Sequence, residues 1–127
     1  MSGRNTFPRA VRLTRKSEYA HVFEDGEKVA GRAFICYLAW RDGRGSRLGI
    51  AISRKIGGAV VRNGIKRRIR EFFRTQRHRF VRDVDLVVVA RPESAGLSCR
   101  ESGEAVERLL RRRGVVSDGG GRNGLDG

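Results

Sequence analysis

The sequence predicts an α+β fold, a two-layer α/β sandwich in which helices pack against a small central sheet. The chain contains three apolar runs of strand length, together with segments whose apolar residues recur at helical spacing. Its 127 residues are enough for one modest hydrophobic core, which favours a single domain. The predicted order of elements is α-β-β-α-β-α.

The first predicted helix begins at Ser17, a good N-cap residue, and has Glu18 in its first turn. It ends at Gly26. Tyr19 and Phe23 are four residues apart and therefore share one face of this helix. From periodicity alone, both rings are expected in the core.

Two strands are predicted after this helix. Residues 29–40 form a long strand, and because neither of its faces is polar, both are expected to be at least partly covered. After a turn at residues 42–45, residues 47–53 return as an antiparallel strand. Gly49 and Ala51 leave one face of the second strand shallow, so a ligand is able to approach its backbone closely.

The segment that begins at Val61 has the pattern of an amphipathic helix. At about 100° per residue, its apolar side chains fall on one arc and most of its cations on another. The apolar arc contains Val61, Ile65, Ile69, Phe72 and Phe73. The cationic arc contains Arg62, Asn63, Lys66, Arg67, Arg70 and Arg74. Arg68 lies outside the cationic arc, and we predict that it pairs with Glu71. One face is therefore suited to a core and the other to an acidic partner.

The remaining elements complete the sheet and cover it. Residues 84–90 form a continuous apolar run and predict a buried strand. Since the amphipathic helix connects this strand to the preceding one, the two are expected to be parallel. A last helix starts at Ser98 or Ser102 and turns Val106 and Leu109 toward the sheet.

The two ends of the chain are expected to lie outside the fold. Residues 1–12 are basic and aperiodic and predict a flexible arm. Residues 114–127 are dominated by glycine and polar residues and predict a disordered tail. The single folded domain is therefore expected to span residues 13–113.

The charge of the chain indicates the class of its partner. Lysine and arginine number 28 against 14 acidic residues, which gives a net charge of +14 and an isoelectric point near 11.4. Such a surplus destabilises a protein by self-repulsion unless a polyanion neutralises it, and nucleic acid is the preferred interpretation. An anionic membrane is second, but no long apolar run or lipidation motif supports it. We expect no membrane partner and no small-molecule substrate.

The same sequence predicts a cytoplasmic protein. The first residues lack the apolar stretch of a signal peptide. Cys36 and Cys99 are far apart and lack CxxC spacing, so both are expected to be reduced and mostly buried.

No catalytic site is predicted. Asp83 and Asp85 share one side of a strand, but hard metal ions usually need more than two oxygen ligands, so solvation at a strand edge is the preferred interpretation. Hydrolysis needs an acid, a base or a metal cage, and any chemistry is therefore expected to come from a partner. Gly57 and Gly58 precede the basic helix and form a turn that is able to cradle a phosphate.

Residues 54–67, RKIGGAVVRNGIKR in one-letter code, resemble the signature of the protein subunit of bacterial ribonuclease P. That signature contains Gly, one residue, Ala-Val, one residue, Arg-Asn, two residues and Lys-Arg. The order of elements is also similar over roughly residues 12–112. Two positions depart from the family pattern, because Gly64 replaces a usual third basic residue and Gly58 a larger polar one.

The resemblance implies a ribonucleoprotein enzyme whose catalyst is its RNA. Metal ions on RNA phosphates, Mg²⁺ in particular, activate the water that cuts precursor tRNA, which releases the 5′ leader and leaves the mature 5′ end. The protein component, here residues 13–113, binds the catalytic RNA and the leader. The family fold also implies a left-handed β-α-β crossover, against the usual right-handed rule.

The resemblance also implies roles for individual residues. A leader of varied sequence is best held by stacking and backbone charge, which tolerate any base. The positions that match the leader-binding cleft are Tyr19, Phe23 and Tyr37, with Arg32 at the cleft edge. The positions that match the RNA-binding surface are Arg54, Lys55, Arg62, Asn63, Lys66, Arg67 and Arg70.

Three other functions remain as alternatives. A non-catalytic RNA-binding protein of the ribosomal type would have the same composition. A DNA-binding module would present the basic helix to a major groove, but a helix packed in a crossover is poorly placed for this. A protein-only nuclease ranks last, for want of a site.

Overall fold

The structure is a computed structural model and describes residues 11–117. Its helices and strands are, in chain order, α1 (Lys16–Asp25), β1 (Glu27–Ala30), β2 (Phe34–Trp40), β3 (Arg47–Ala51), α2 (Ala59–Gln76), β4 (Val84–Ala90) and α3 (Cys99–Arg112). Short 3-10 turns occupy Arg54–Ile56, Arg77–Arg79 and Pro92–Gly96.

The strands form one mixed sheet in the order β1-β2-β4-β3. β2 pairs antiparallel with β1 and with β4. β3 pairs with β4 in parallel, and α2 connects them, which confirms the predicted β-α-β crossover. β3 runs against β2 as predicted, but β4 lies between the two. The hand of the crossover stays a prediction.

The sheet has one strand more than the sequence predicts. The long strand proposed for residues 29–40 is a hairpin, in which Val29 pairs with Cys36 and Ala30 with Ile35. The backbone N–H of Gly31 donates to the carbonyl of Phe34 at 2.8 Å and closes the turn. Gly31 and Arg32 mark the turn in the sequence, but apolar residues flank this pair on both sides, so the apolar pattern alone favours one continuous strand.

Helices cover both faces of the sheet. α2 and α3 pack on the face that carries Phe34, Leu38 and Leu86, and with them they form the larger core. On the opposite face, Val22 of α1 and Leu13, which precedes the helix, form a smaller core with side chains of β2 and β4. The α+β class with a central sheet is confirmed, and α1 adds a partial third layer to the predicted two.

α1 begins two residues earlier than an N-cap at Ser17 requires. Its N-cap is Arg15, and the Glu18 carboxylate accepts hydrogen bonds from the backbone N–H groups of Thr14 and Arg15. The helix ends at Gly26 as predicted. A Cβ at Gly26 would lie 2.4 Å from the Val22 carbonyl oxygen of α1 and 2.7 Å from the Leu38 carbonyl oxygen of β2, so the close approach of these two backbones requires glycine here.

The packed domain extends beyond residues 13–113. Arg12 forms a parallel bridge with Leu48, and Val116 forms an antiparallel bridge with Phe80. Val115 and Val116 are buried in the main core, which corrects the prediction of disorder for residues 114–117. Their burial depends on contacts with residues far away in sequence, which composition does not reveal. Residues 1–10 of the predicted arm and 118–127 of the predicted tail lie outside the described residues.

α3 starts at the first of the two serines that the sequence offers as its N-cap. Ser98 is the N-cap, and its hydroxyl accepts from the backbone N–H of Glu101 at 3.0 Å. The Glu101 carboxylate accepts from the backbone N–H of Ser98 at 2.9 Å, which completes a capping box.

The cysteines differ from each other in burial. Cys36 is buried as predicted, and burial raises the pKa of its thiol to about 12. Cys99 is exposed, contrary to the prediction, because it occupies the first turn of α3. Both are free thiols.

The carboxylates set aside as metal ligands have structural partners. Asp83 accepts hydrogen bonds from the backbone N–H groups of Gly43 and Gly45 and holds the β2–β3 turn. Asp85 is buried and paired with arginine, so solvation at a strand edge is wrong for this residue. Within residues 11–117, no cluster of His, Cys, Asp and Glu side chains is able to hold a metal ion, and no helix is long and apolar enough to span a membrane.

Candidate nucleic-acid interface

A cleft of about 200 Å³ lies between α1 and the β3 edge of the sheet, and α2 lines its far side. Tyr19 of α1 lines it together with Gly49 of β3 and with Lys66 and Arg70 of α2. A Cβ at Gly49 would lie 2.7 Å from the Tyr19 ring, so the ring rests directly on the strand backbone. The shallow surface predicted for β3 is therefore occupied by an aromatic side chain of the protein itself.

Two further rings continue the aromatic surface on the same face of the sheet. Phe23 of α1 and Tyr37 of β2 meet edge to face, with ring centroids 4.8 Å apart and planes at 78°. The Lys28 ammonium lies 5.9 Å from the Tyr37 centroid. Phe23 is 40% exposed, a large fraction for an apolar ring, and Tyr37 is half-buried. Partly exposed rings beside cations are suited to stacking with bases.

The three aromatic candidates therefore share one surface. Tyr19 and Tyr37 also pack against the small core between α1 and the sheet. Each ring is thus held on one side by the protein and is partly open on the other. This arrangement combines the two interpretations that periodicity left open, packing and ligand contact.

Arg32 lies apart from these rings. It is exposed in the β1–β2 turn and lines a second cavity, of about 450 Å³, together with Arg108 and Arg112 of α3. The floor of that cavity includes Phe34, whose side chain belongs to the core under α3. The structure does not bring Arg32 together with the aromatic candidates.

The cationic residues of α2 divide between the cleft and the outer surface. Lys66 and Arg70 line the cleft beside Tyr19, and Asn63 and Arg67 are exposed on the same helix. Arg62 is half-buried, and its Nε donates to the Gly57 carbonyl at 3.0 Å. Arg62 therefore also holds the glycine turn in front of the helix.

Arg54 and Lys55 are exposed in the 3-10 turn that leads to Gly57. The Ser53 hydroxyl accepts from the backbone N–H of Lys55 at 3.1 Å and fixes this turn. Gly58 is the N-cap of α2 and offers no side-chain hydrogen bond to the helix. The two cations thus stand immediately before the helix N-terminus, as their spacing predicts.

Two details of α2 differ from the prediction. Glu71 pairs with Arg74 at 2.6 Å rather than with Arg68, and hydrogen bonding to Arg74 lowers the pKa of Glu71. On the helical wheel both arginines lie three residues from Glu71, so spacing alone does not choose between them. Val61 is 39% exposed and leaves the apolar arc, whose other members are buried.

Sequence reasoning missed several polar contacts near the aromatic surface. Lys28 was not singled out, although it adjoins Tyr37 in the structure. Glu18, Arg47 and Asp85 form linked ion pairs that join α1 to the sheet. An aspartate inside the apolar run of β4 was the available signal, because a buried carboxylate needs a partner.

The fold is that of a small basic α+β protein, and its partly exposed rings beside cations are suited to single-stranded nucleic acid. The family model described as ribonuclease P matches residues 7–114. The chain belongs to the ribonuclease P protein family.

Relatives and solved structures agree with this assignment. The ribonuclease P protein component of Bacillus pumilus is 35% identical over 105 residues, which cover 82% of this chain and 88% of the relative. That of Thioalkalivibrio sulfidiphilus is 41% identical over 107 residues, with 84% and 88% covered. The Staphylococcus aureus RNase P protein structure is similar with a TM-score of 0.77 at 30% identity, covering 86% of this chain and all of that chain. The Thermotoga maritima RNase P protein gives a TM-score of 0.72 at 29% identity, with 80% and 96% covered.

Family membership establishes the role of the chain. It is a subunit of an endoribonuclease that matures tRNA 5′ ends, and it functions with an RNA partner and a tRNA substrate. The ribosomal-type, DNA-binding and protein-only alternatives are set aside by the match over residues 7–114.

Proposed function

We propose that the chain binds the catalytic RNA of ribonuclease P with the outer surface of α2, and holds the 5′ leader of precursor tRNA in the cleft between α1 and the sheet. The observation that carries this proposal is the Tyr19 ring on Gly49, with Lys66 and Arg70 in the same cleft. A stacking platform next to two cations matches a single strand, whose bases and phosphates are both accessible.

The leader path extends from Tyr19 across the sheet face to Phe23 and Tyr37. The edge-to-face contact of the latter two rings leaves a partly exposed aromatic surface beside Lys28. Stacking on such rings tolerates any base, which suits leaders of varied sequence. Arg32 lies outside this path and is better suited to a phosphate contact at the β1–β2 turn.

The contacts with the catalytic RNA involve the cations that point away from the cleft. Arg67 and Asn63 are exposed on α2, and Arg54 and Lys55 extend the same surface before the helix. Guanidinium groups contact phosphate oxygens through two parallel hydrogen bonds, which makes arginine well suited to this surface. Arg62 supports it by holding the Gly57 carbonyl.

Mg²⁺ is bound mainly by phosphates of the RNA partner, where it supplies the activated water for cleavage. On this chain, the exposed Asn63 amide is able to hydrogen-bond a phosphate or a hydrated ion. The protein acts in the cytoplasm, where it meets precursor tRNA.

Two variants test the two surfaces separately. Arg67→Ala should weaken binding of the catalytic RNA and leave the preference of the assembled enzyme for precursor over mature tRNA unchanged. Tyr19→Ala should leave catalytic RNA binding unchanged and reduce that preference by about 5- to 100-fold, the value of one base–aromatic stack. Filter binding with catalytic RNA, precursor tRNA and mature tRNA measures all three affinities. If both variants lower the same affinity, the division into two surfaces is wrong.

A further inference from the structure

A chain of charged side chains joins the sheet to α1 beside the cleft. It starts at Asp85 on β4, which is only 3% exposed. Arg47 on β3 contacts both carboxylate oxygens, with Nε to Oδ1 and Nη2 to Oδ2 both at 2.8 Å. Arg41 adds a longer contact, from Nη1 to Oδ1 at 3.3 Å. This arrangement compensates the buried charge of Asp85 and fixes the Arg47 guanidinium by a two-point contact.

The same guanidinium also reaches α1. Arg47 Nη1 donates to Glu18 Oε2 at 3.1 Å. The other oxygen of Glu18, Oε1, accepts from the backbone N–H groups of Thr14 and Arg15, at 2.9 and 3.1 Å. Glu18 therefore binds the start of its own helix with one oxygen and the sheet with the other. Arg47 links β4 to the first turn of α1.

The apolar attachment of α1 is small by comparison. Of its 10 residues, all of which the structure describes, Val22 alone is buried. Val22 packs with Leu13, Ala39 and Val87 in the minor core. Tyr19 packs against the edge of this core and Phe23 meets Tyr37, but the first turn of α1 contributes no buried apolar side chain. The ion pair between Glu18 and Arg47 supplies an attachment at that turn.

The position of that first turn decides where the Tyr19 ring lies. Tyr19 follows Glu18 directly, and its ring rests on Gly49, two residues after Arg47 and on the same face of β3. The ionic link and the ring contact thus join the same two elements at adjacent points. A shift of α1 relative to β3 would change both together.

We propose that Arg47 and Glu18 are positioning residues, which hold α1 so that Tyr19 forms a preformed stacking platform for the leader. This inference rests on the proposed function of the cleft. The two residues act through Tyr19 and need not touch the RNA themselves. Their contribution should therefore appear in the binding of precursor tRNA and be absent from the binding of mature tRNA, which has no leader.

Glu18→Gln is the variant that isolates the link. It keeps the size of the side chain and leaves the Arg47–Asp85 contact in place, but removes the charge that Arg47 meets on α1. In the full-length protein assembled with a bacterial ribonuclease P RNA, we expect the affinity for precursor tRNA to fall about tenfold. The affinity for mature tRNA should stay within about twofold of the parent value.

A matched control is available on the surface. Arg82 contacts the two oxygens of the exposed Asp42 through Nε and Nη2, at 3.2 and 2.9 Å, the same two-point geometry as Arg47 and Asp85. Arg82→Lys should leave both tRNA affinities unchanged. Arg47→Lys should reproduce the effect of Glu18→Gln, because lysine keeps the charge but lacks the planar fork that meets two carboxylates. Thermal unfolding of each variant establishes that it is folded.

Combination with Tyr19→Ala separates positioning from general stability. If Glu18 acts through the ring, Glu18→Gln should cost less than about twofold in precursor affinity once the ring is absent. Fully additive losses, or equal losses for precursor and mature tRNA, would overturn the inference. If Tyr19→Ala does not reduce precursor affinity, the proposed leader cleft fails. If it does and Glu18→Gln does not, the positioning role alone fails.

Discussion

At the scale of single residues, the contact between Gly49 and Tyr19 is the most specific feature of the cleft. A methyl group at position 49 would lie 2.7 Å from the ring edge, inside van der Waals contact. The tyrosine ring is the far end of a rotatable side chain, so it is able to move aside at little cost to the fold. Gly49 thus affects the position of the Tyr19 ring more than it affects the stability of β3.

Gly49→Ala should therefore lower precursor tRNA affinity by about 3- to 30-fold, because the stacking surface is displaced rather than removed. Its melting temperature should change little. The measurement is precursor and mature tRNA binding by the assembled enzyme, with Gly96→Ala as the control. A Cβ at Gly96 meets no other atom of the described residues within 4 Å. Unchanged precursor binding by Gly49→Ala would show that the ring position is unimportant.

Tyr37 offers a second test at this scale. Its ring meets Phe23 edge to face at 4.8 Å and lies beside Lys28. Tyr37→Ala should weaken precursor binding by about 1–3 kcal/mol and spare mature tRNA. Tyr37→Phe keeps the ring and should bind both RNAs like the parent protein. An equal loss for both RNAs in Tyr37→Ala would place Tyr37 among the residues that only pack.

At the scale of elements, α1 is held by an ion pair as well as by apolar contacts. Hydrogen bonds from the backbone of Thr14 and Arg15 hold the pKa of Glu18 below its usual value of 4.5, and Arg47 adds to the effect. A carboxylate whose pKa is lowered by folding contributes stability above its unfolded pKa. That stability is lost as the pH falls through the folded pKa.

The free energy of unfolding should therefore decrease as the pH is lowered below about 4.5, and Glu18 should account for part of that decrease. Asp42 and Glu71 also have lowered pKa values, through arginine partners, so a comparison is needed. Urea unfolding of the parent and of Glu18→Gln between pH 3 and pH 7, about the range over which carboxylates titrate, isolates the residue. The parent should be the more stable at pH 7, and the difference should shrink toward pH 3. A difference independent of pH would exclude an ionic contribution.

Gly64 sits in the interior of α2, where the family motif usually has a third basic residue. A Cβ there would meet only Arg68 Nη1, at an ordinary 3.4 Å, among the described residues. Gly64→Ala should stabilise the protein by about 1 kcal/mol through helix propensity, measured by denaturant unfolding. Gly64→Arg should gain a similar stability and also bind the catalytic RNA more tightly. Equal RNA affinity of the two variants would mean that no phosphate lies near this position.

The elements also show what sequence patterns do and do not contain. The spacing of apolar residues predicted α2 and β4, because α2 has a single apolar stripe and β4 is a single apolar run. It missed the turn between β1 and β2, since only Gly31 and Arg32 interrupt the apolar residues there. β4 lies between β2 and β3 because of contacts between segments that are distant in sequence, and no local sequence pattern predicts such contacts.

The candidate site was likewise predicted from the sequence only where its residues are close together along the chain. The motif of residues 54–67 led to the α2 surface, because those residues are close in sequence. It did not separate the cations that line the cleft from those that face outward. The link from Glu18 through Arg47 to Asp85 brings three distant segments together, and only the folded structure reveals it.

At the scale of the whole molecule, charge is the dominant property. A net charge of +14 on 127 residues suits a subunit that functions with two polyanions, an RNA partner and a tRNA substrate. Two RNAs that approach each other repel over about 10 Å at moderate salt, unless cations lie between them. Bound Mg²⁺ and a cationic protein are interchangeable in this respect, because both neutralise phosphate charge and release counterions.

Cleavage of precursor tRNA should consequently saturate at a lower Mg²⁺ concentration with the protein present than with the catalytic RNA alone. The measurement is the initial rate of release of a 5′-labelled leader across a Mg²⁺ titration, at fixed monovalent salt, with and without the protein. Raising the monovalent salt should shrink the difference, because it screens the protein charge. A precursor with a very short leader separates screening from leader binding, since screening should persist without the cleft contacts. If the Mg²⁺ requirement is the same with and without the protein, then the chain acts through leader affinity alone, and its surplus charge serves only assembly with the RNA.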